Sequence, residues 1–159
     1  CGLCGHLVSV HDMDTSALYQ NDYVSSNYGD VEGIRRAYDR VIALDPTQSD
    51  NTGRVARVLG FAESRRPPTG RQRSVLDVGS GLCVFLHRMK EAGWTCTALD
   101  PDPRSVRHAK EVVGVNNALC GDFMDTHDLG LFDVVTFNKV LEHVRDPVAM
   151  LRKAQESGN

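Results

Sequence analysis

The hydrophobic pattern of the chain changes at Ser74. From there on, short apolar runs alternate with stretches whose apolar residues recur at intervals of three and four. Buried strands produce the first pattern and amphipathic helices the second. The predicted strands are "SVLDV", "WTCTALD", "NALCGD" and "LFDVVTFN". Strands and helices in alternation predict an α/β domain over residues 74–159, with a doubly wound parallel sheet and right-handed crossovers.

Capping residues mark the helices of this half. Apolar residues at helical spacing in 82–89 are followed by Gly93, a residue suited to the left-handed turn at a helix end. The dipeptides Asp102-Pro103 and Asp146-Pro147 each combine an N-cap with proline at the first helical position. The first of these helices is predicted to run to Gly114.

The first half of the chain predicts helices and loops. Apolar spacing indicates one helix over 31–44, ending before Pro46, and a second over 52–64. The stretch "RRPPTGRQRS" then indicates a linker. We therefore divide the chain into residues 1–30, a helical segment with linker over 31–73, and the α/β domain. Three tyrosines in the first part suggest a surface loop or a lid: Tyr19, Tyr23 and Tyr28.

Composition indicates one ordinary globular domain. The chain has 159 residues, 41% hydrophobic and 25% charged, with a net charge of -3. No run approaches the roughly 18 apolar residues of a membrane span. We expect a cytoplasmic protein with neither nucleic acid nor a membrane as partner. A basic run from Arg54 to Arg73 fits a solvated helix face and linker better than a phosphate-binding patch.

Cys1 and Cys4 form a C-x-x-C followed by glycine, the spacing of one zinc knuckle. A structural zinc site needs four ligands, and a site completed within this chain would need His6 and His11. Half of a zinc ribbon and two incidental cysteines are the other interpretations. Because the chain starts at Cys1 rather than Met and stops at "LRKAQESGN", we expect it to be a piece of a longer polypeptide.

The glycine turn after the first predicted strand is the main candidate for ligand binding. In a doubly wound sheet, ligands bind beyond the carboxyl ends of the strands, and glycines there let a ligand lie against bare backbone. A dinucleotide fingerprint would place its third glycine at Val84. Asp77 would also repel a pyrophosphate. Both observations argue against a dinucleotide.

The run Asp77-Val-Gly79-Ser-Gly81 resembles motif I of the class I S-adenosylmethionine-dependent methyltransferases. Cys83 stands where that pattern usually has a third glycine. The resemblance implies a small-molecule methyltransferase that binds S-adenosylmethionine, with Asp77, Gly79, Ser80 and Gly81 at the cofactor.

Three further positions agree with this resemblance. Asp100 ends the second strand, about twenty residues past the turn, where a carboxylate accepts hydrogen bonds from ribose hydroxyls. Asp122 and Phe123 resemble the acidic residue for the adenine amino group and its apolar neighbour. Asn138, in "FDVVTFNKVLEHVRDP", would lie at the fourth strand tip near the methionine end. A cap at Asp100 and a plain turn at Asp122 are the structural alternatives.

The chemistry requires few residues. A methyl group on a sulfonium is already activated, so the enzyme must align a nucleophile and accept its proton. His143, beside Glu142, follows the fourth strand and is the candidate base, since histidine is the side chain that most often serves as a general base. In relatives that methylate sugars or small phenolics, such a pair acts as base, as metal ligand or in packing.

The domain order and "CGLCGH" narrow the resemblance to methyltransferases with an N-terminal zinc ribbon, among them sugar C-methyltransferases. A non-catalytic cofactor-fold and zinc-ribbon interaction module is the alternative, and an NAD-dependent oxidoreductase is a distant third. The family sheet has seven strands and this chain supplies four. We therefore expect an open edge at the fourth strand that favours aggregation or pairing with another chain, as in a homo-oligomer. We also expect weak cofactor binding by these residues alone.

Overall fold

The computed structural model describes residues 29–65 and 71–158. Its main elements, in chain order, are helix α1 (Val31–Ile42), helix α2 (Asp50–Ser64), strand β1 (Ser74–Val78), helix α3 (Val84–Glu91), strand β2 (Thr95–Asp100), helix α4 (Pro103–His108), strand β3 (Asn117–Cys120), strand β4 (Val134–Phe137) and helix α5 (Pro147–Glu156). Short 3-10 turns lie at Pro46–Gln48 and Leu141–His143.

The four strands form one parallel sheet in the order β3-β2-β1-β4. Val75 of β1 lies opposite Cys96 of β2 and opposite Val134 of β4. The central strands β1 and β2 are buried almost throughout, because helices cover both faces of the sheet. This arrangement confirms the predicted α/β fold.

Alternate residues of β1 enter two separate cores. Val75 joins a core on one face of the sheet, with Phe85, Leu86 and Met89 of α3. Leu76 and Val78 join the core on the other face, with Phe132 and Met150 as neighbours; Leu99 and Phe123 also belong to this second core. A strand buried on both faces must be apolar on both sides, which is why "SVLDV" lacks a simple polar alternation.

The helices begin where the capping residues indicate. The side chain of Asp102 accepts a hydrogen bond from the Arg104 backbone, and that of Asp146 accepts one from Ala149. Gly93 adopts the left-handed conformation, with φ 83°. The helix predicted to run to Gly114 is α-helical only as far as His108, where α4 ends. A π-helical turn then covers Ala109–Val113.

Helix α1 packs against the helices that cover one face of the sheet. Tyr38 of α1 is buried in the same core as α3, and its hydroxyl lies 2.7 Å from Nδ1 of His87. Helix α2 contacts α3 as well, and the side chain of Asn51 donates a hydrogen bond to the Val84 carbonyl. The three tyrosines of the suggested lid, and Cys1, Cys4, His6 and His11, lie outside the described residues.

Strand β4 is one edge of the sheet and is less buried than the central strand β1. Each residue of β4 is about half-buried, unlike those of β1. After α5 the chain returns beside this edge, where Phe132 and Gly158 form a single parallel bridge. Pairing of the β4 edge with another chain remains a prediction. In residues 29–65 and 71–158, no helix combines the length and apolarity that crossing a bilayer requires.

His108 is a buried titratable group at the junction of α1 and α4. Its side chain is 1% exposed and lies edge-on to the Tyr38 ring, with 4.9 Å between centroids. Burial lowers the pKa of His108, although the Leu82 carbonyl and Asp39 favour the charged ring; Arg35 adds to the lowering. The folded state therefore holds His108 neutral and binds fewer protons there than the unfolded chain.

We expect this histidine to make the fold less stable in mild acid. The folded pKa of His108 lies below its unfolded value of 6.5. The contribution of His108 to the free energy of unfolding is therefore complete above pH 6.5 and is lost as the pH falls from there through the folded pKa. Urea unfolding of wild type and His108→Phe from about pH 7.5 to about pH 5.5 measures the effect. The variant should lose less stability over this range than wild type. Equal losses would contradict the assignment.

Candidate functional site

The turn after β1 is held against the end of β2 by its backbone. The N–H groups of Gly79 and Ser80 both donate to the Leu99 carbonyl, at 2.8 and 3.3 Å. Gly79 has φ 68° and Gly81 has φ 49°, in the left-handed region that glycine adopts without strain. The predicted glycine turn is thus present at the carboxyl end of the sheet.

The two glycines are required for different reasons. A Cβ on Gly79 would lie 2.6 Å from Cγ2 of Val140, so this glycine makes room for a side chain of the protein itself. A Cβ on Gly81 would meet no atom closer than the Gly79 carbonyl oxygen, at 4.0 Å. The bare backbone that we expected to face a ligand is therefore found at Gly81, whereas Val140 covers Gly79.

Cys83 adopts the conformation that a glycine would favour. It is the N-cap of α3, with φ 55°, and its side chain is 1% exposed. Burial raises the pKa of the Cys83 thiol far above its ordinary value, so the sulfur stays protonated at neutral pH. The departure from the glycine pattern therefore leaves the left-handed turn intact, although a non-glycine residue there costs roughly 1 kcal/mol or more.

Asp100 lies at the end of β2 and contacts the glycine turn. One carboxylate oxygen accepts the Gly81 N–H at 2.8 Å, and the other accepts the Asp102 N–H at 2.9 Å. Burial raises the pKa of Asp100, and these two N–H groups oppose the rise. Each oxygen has a second lone pair, so the carboxylate keeps the capacity to accept two further hydrogen bonds.

Asp77 is the central polar group beneath the turn. Its side chain is 1% exposed, and its Oδ1 accepts hydrogen bonds from Thr136 at 2.7 Å and from Asn138 at 2.9 Å. Burial raises the pKa of Asp77 to about 7 in spite of these hydrogen bonds, and the charge of Asp100 adds to the rise. Asp77 therefore joins β1 to the tip of β4, where Asn138 was predicted.

The loop after β3 brings Asp122 to the same end of the sheet. Gly121 donates to the Asp100 carbonyl at 3.1 Å, which places this loop beside the end of β2. Asp122 is exposed, and its Oδ1 accepts the Met124 N–H at 2.6 Å. Phe123 is only 2% exposed and packs edge-on against Phe137, so its ring lies within the second core.

Three predicted residues remain: Ser80 lies in the glycine turn, and Glu142 and His143 follow β4. Ser80 is buried, and its hydroxyl has no hydrogen-bond partner in the described part of the chain. Glu142 and His143 lie exposed on the 3-10 turn that follows β4. The structure thus joins Asn138 to Asp77 by a hydrogen bond, and it places Asp100 near enough for its charge to act on Asp77.

The sequence did not indicate Arg54 as a residue of the site, because Arg54 belongs to the basic run that we assigned to a solvated helix face and linker. In the structure the Arg54 side chain is only 23% exposed and forms an ion pair with Asp50. The Asp50 carboxylate also lies 3.5 Å from the Lys139 ammonium. The charge of Arg54 lowers the pKa of Asp77, so the guanidinium acts on the site electrostatically. The i,i+4 pair of Asp50 and Arg54 is the one sequence signal that distinguished it from its neighbours.

No group of three or more histidine, cysteine, aspartate or glutamate side chains in residues 29–65 and 71–158 is arranged to hold a metal ion. The predicted zinc ligands Cys1 and Cys4 lie outside these ranges, so the zinc knuckle remains a prediction.

The contact between Gly79 and Val140 predicts a specific pattern of stability. Gly79→Ala should destabilise the fold by more than about 1 kcal/mol, because it adds a left-handed alanine and a clash. Adding Val140→Ala removes the clash, so the double variant should lose less stability than the two single changes summed. Gly81→Ala is the matched control, since the added Cβ would meet no atom closer than 4.0 Å. If denaturant unfolding showed that Val140→Ala couples equally with Gly79→Ala and with Gly81→Ala, this explanation would be overturned.

Curated relatives resemble most of the chain. It is 28% identical over 153 residues to the ubiquinone biosynthesis O-methyltransferase of Vibrio parahaemolyticus, covering 92% of this chain and 59% of that protein. The protein of the same name from Escherichia coli is 29% identical over 149 residues, covering 89% of this chain and 56% of that one. The chain thus spans somewhat more than half the length of these relatives.

Solved structures agree on the fold. Magnesium protoporphyrin IX methyltransferase (ChlM) from Synechocystis PCC 6803, determined with bound S-adenosylhomocysteine (SAH), superposes with a TM-score of 0.61 at 20% identity. The match covers 92% of this chain and 68% of that one. At this identity the likeness establishes the architecture alone.

Family membership rests on a match longer than half of the chain. Residues 45–157 match the family described as "Methyltransferase domain". This range begins before α2 and ends after α5, so it includes the whole described sheet together with Asp77, Asp100 and Asp122. The chain therefore belongs to this methyltransferase family.

Proposed function

We propose that this chain is the cofactor-binding part of an S-adenosylmethionine-dependent methyltransferase that acts on a small molecule. The observation that carries the proposal is the hydrogen bond from the Gly81 N–H to the Asp100 carboxylate at the carboxyl ends of β1 and β2. This contact places a carboxylate beside the uncovered backbone of Gly81. Small-molecule ligands bind at this position in doubly wound sheets.

The acceptor capacity of Asp100 fits a ribose. Both carboxylate oxygens already bind backbone N–H groups, which orient the carboxylate and leave one lone pair on each oxygen. Two adjacent hydroxyls can donate to these lone pairs. Asp122, exposed in the neighbouring loop, would accept from the adenine amino group.

The charge of the site fits a cofactor without phosphates. Two carboxyl groups, Asp77 and Asp100, lie at the glycine turn, where a pyrophosphate would be repelled. Arg54 would pair with the cofactor's carboxylate, which would replace or share its present pairing with Asp50. Asp77 and Asn138 would lie near the methionine end through their mutual hydrogen bond.

The remaining task of the protein is to align an acceptor and take up its proton. When bound, the cofactor supplies a methyl group activated on a positively charged sulfur. As the bond from the acceptor to the methyl carbon forms and the carbon–sulfur bond breaks, the acceptor's proton must leave. His143, exposed after β4 with Glu142 beside it, is the proposed proton acceptor.

We infer an oxygen acceptor, which the O-methyltransferase names of the curated relatives support. A sugar acceptor depends on the domain order and on "CGLCGH", which lies outside the described residues. The alternative of a non-catalytic module depended in part on the replacement of the third glycine by Cys83. The left-handed conformation of Cys83 supports a functional turn instead.

Titration calorimetry tests cofactor binding. The full-length wild-type protein should bind SAH and show no binding of NAD. Asp100→Asn should weaken SAH binding by about tenfold or more, because it removes charge-assisted hydrogen bonds. Glu111→Gln, which changes an exposed carboxylate on the π-helical turn, should leave the affinity unchanged. Binding of NAD in preference to SAH would refute the proposal.

Activity measurements on the full-length protein test the acceptor. We expect SAH release with a small phenol and none with a nucleotide-linked deoxysugar. His143→Gln should lower kcat by about a hundredfold, because general-base catalysis contributes that order of rate. The SAH affinity should stay the same. An unchanged kcat would remove His143 from the mechanism, and activity on the sugar alone would reverse the acceptor assignment.

A further inference from the structure

Lys153 of α5 is bound to the loop that carries Asp122. Its ammonium donates to the carbonyl of Met124 at 2.7 Å and to the carbonyl of Thr126 at 2.8 Å. It also lies 5.4 Å from the centroid of the Phe123 ring, within the range of a cation–π contact. One side chain therefore contacts three residues that follow Asp122.

The same loop is folded tightly around Asp122. The Asp122 carbonyl accepts from the backbone of Asp125 and Thr126 and from the Thr126 hydroxyl, while its carboxylate accepts from Met124. These contacts are local, within four residues of Asp122. Contacts of this kind give the loop its shape, but they do not determine where the loop lies relative to the sheet.

Besides the hydrogen bond from Gly121 to the Asp100 carbonyl, two anchors place the loop relative to the rest of the fold. Phe123 packs beneath it against Phe137 of β4. Lys153 holds it from α5 through the carbonyls on either side of the turn. The Phe123 ring restrains the loop by packing, which allows some sliding. The two hydrogen bonds from the Lys153 ammonium also restrain the orientation of the loop.

We propose that Lys153 is a positioning residue for adenine recognition, since it holds the loop so that the Asp122 carboxylate faces the adenine amino group. This inference rests on the proposed cofactor function and goes beyond it. It assigns a residue of α5, outside the glycine turn and the strand tips, to base recognition. Lys153 would touch neither the cofactor nor the acceptor.

The inference predicts a selective effect. If Lys153 only stabilised the fold, its loss would weaken all cofactor analogues equally. If it orients Asp122, its loss should weaken only ligands that donate a hydrogen bond from the 6-position of the purine. SAH has an amino group there, and S-inosylhomocysteine has an oxygen that Asp122 cannot accept from.

The test is calorimetric titration of both ligands into four proteins. Wild type should prefer SAH over the inosine analogue by about tenfold or more, as expected for a hydrogen bond to a carboxylate. Lys153→Met keeps an apolar side chain over Phe123 and removes the donors, so this preference should shrink towards equality. Lys153→Arg restores donors and should recover most of it. Arg152→Met removes a charge from an exposed position of α5 and is the matched control.

The possible outcomes separate this inference from the proposed function. An unchanged preference in a folded Lys153→Met, with circular dichroism and melting like wild type, would overturn the role of Lys153 alone. Equal weakening of both ligands would also overturn it, in favour of a general structural role. Failure of wild type to bind SAH would overturn the proposed function and this inference with it.

Discussion

Parallel pairing of β1 between β2 and β4 is the constraint on which the rest of the structure depends. It brings the carboxyl ends of three strands to one edge, where Gly79 and Gly81 turn the chain towards α3. The Leu99 carbonyl and the Asp100 carboxylate then bind this turn from β2. Asp77 binds the tip of β4 in the same way through Asn138. The candidate site is therefore a direct product of strand order.

Burial gives this site its electrostatic character. Asp77 and Asp100 are almost removed from solvent, and burial raises the pKa of both carboxyl groups. Hydrogen bonds from Thr136, from Asn138 and from the backbone oppose this effect. The nearby guanidinium of Arg54 supplies a compensating positive charge. A site of this composition suits a ligand with a positive centre and hydroxyl groups better than one with phosphates.

Several residues of the site could be predicted because their signals are local. The glycine turn, Asp100 and Asp122 each follow a strand whose apolar run is visible in the sequence, and parallel strands end at a common edge. Arg54, Val140 and Lys153 could not be predicted in the same way. Each acts on a residue distant in the chain, with Val140 against Gly79 and Lys153 against the Asp122 loop.

The sequence by itself determined the α/β class, the main helix and strand positions, and the N-caps at Asp102 and Asp146, because apolar periodicity and capping act over a few residues. Only the tertiary structure decided that Gly79 is covered while Gly81 is open, and that Cys83 can hold a left-handed turn. It also decided that α5 restrains the Asp122 loop. The physical reason is that side-chain contacts between distant elements depend on how helices and strands pack, which the spacing of residues along one element does not specify.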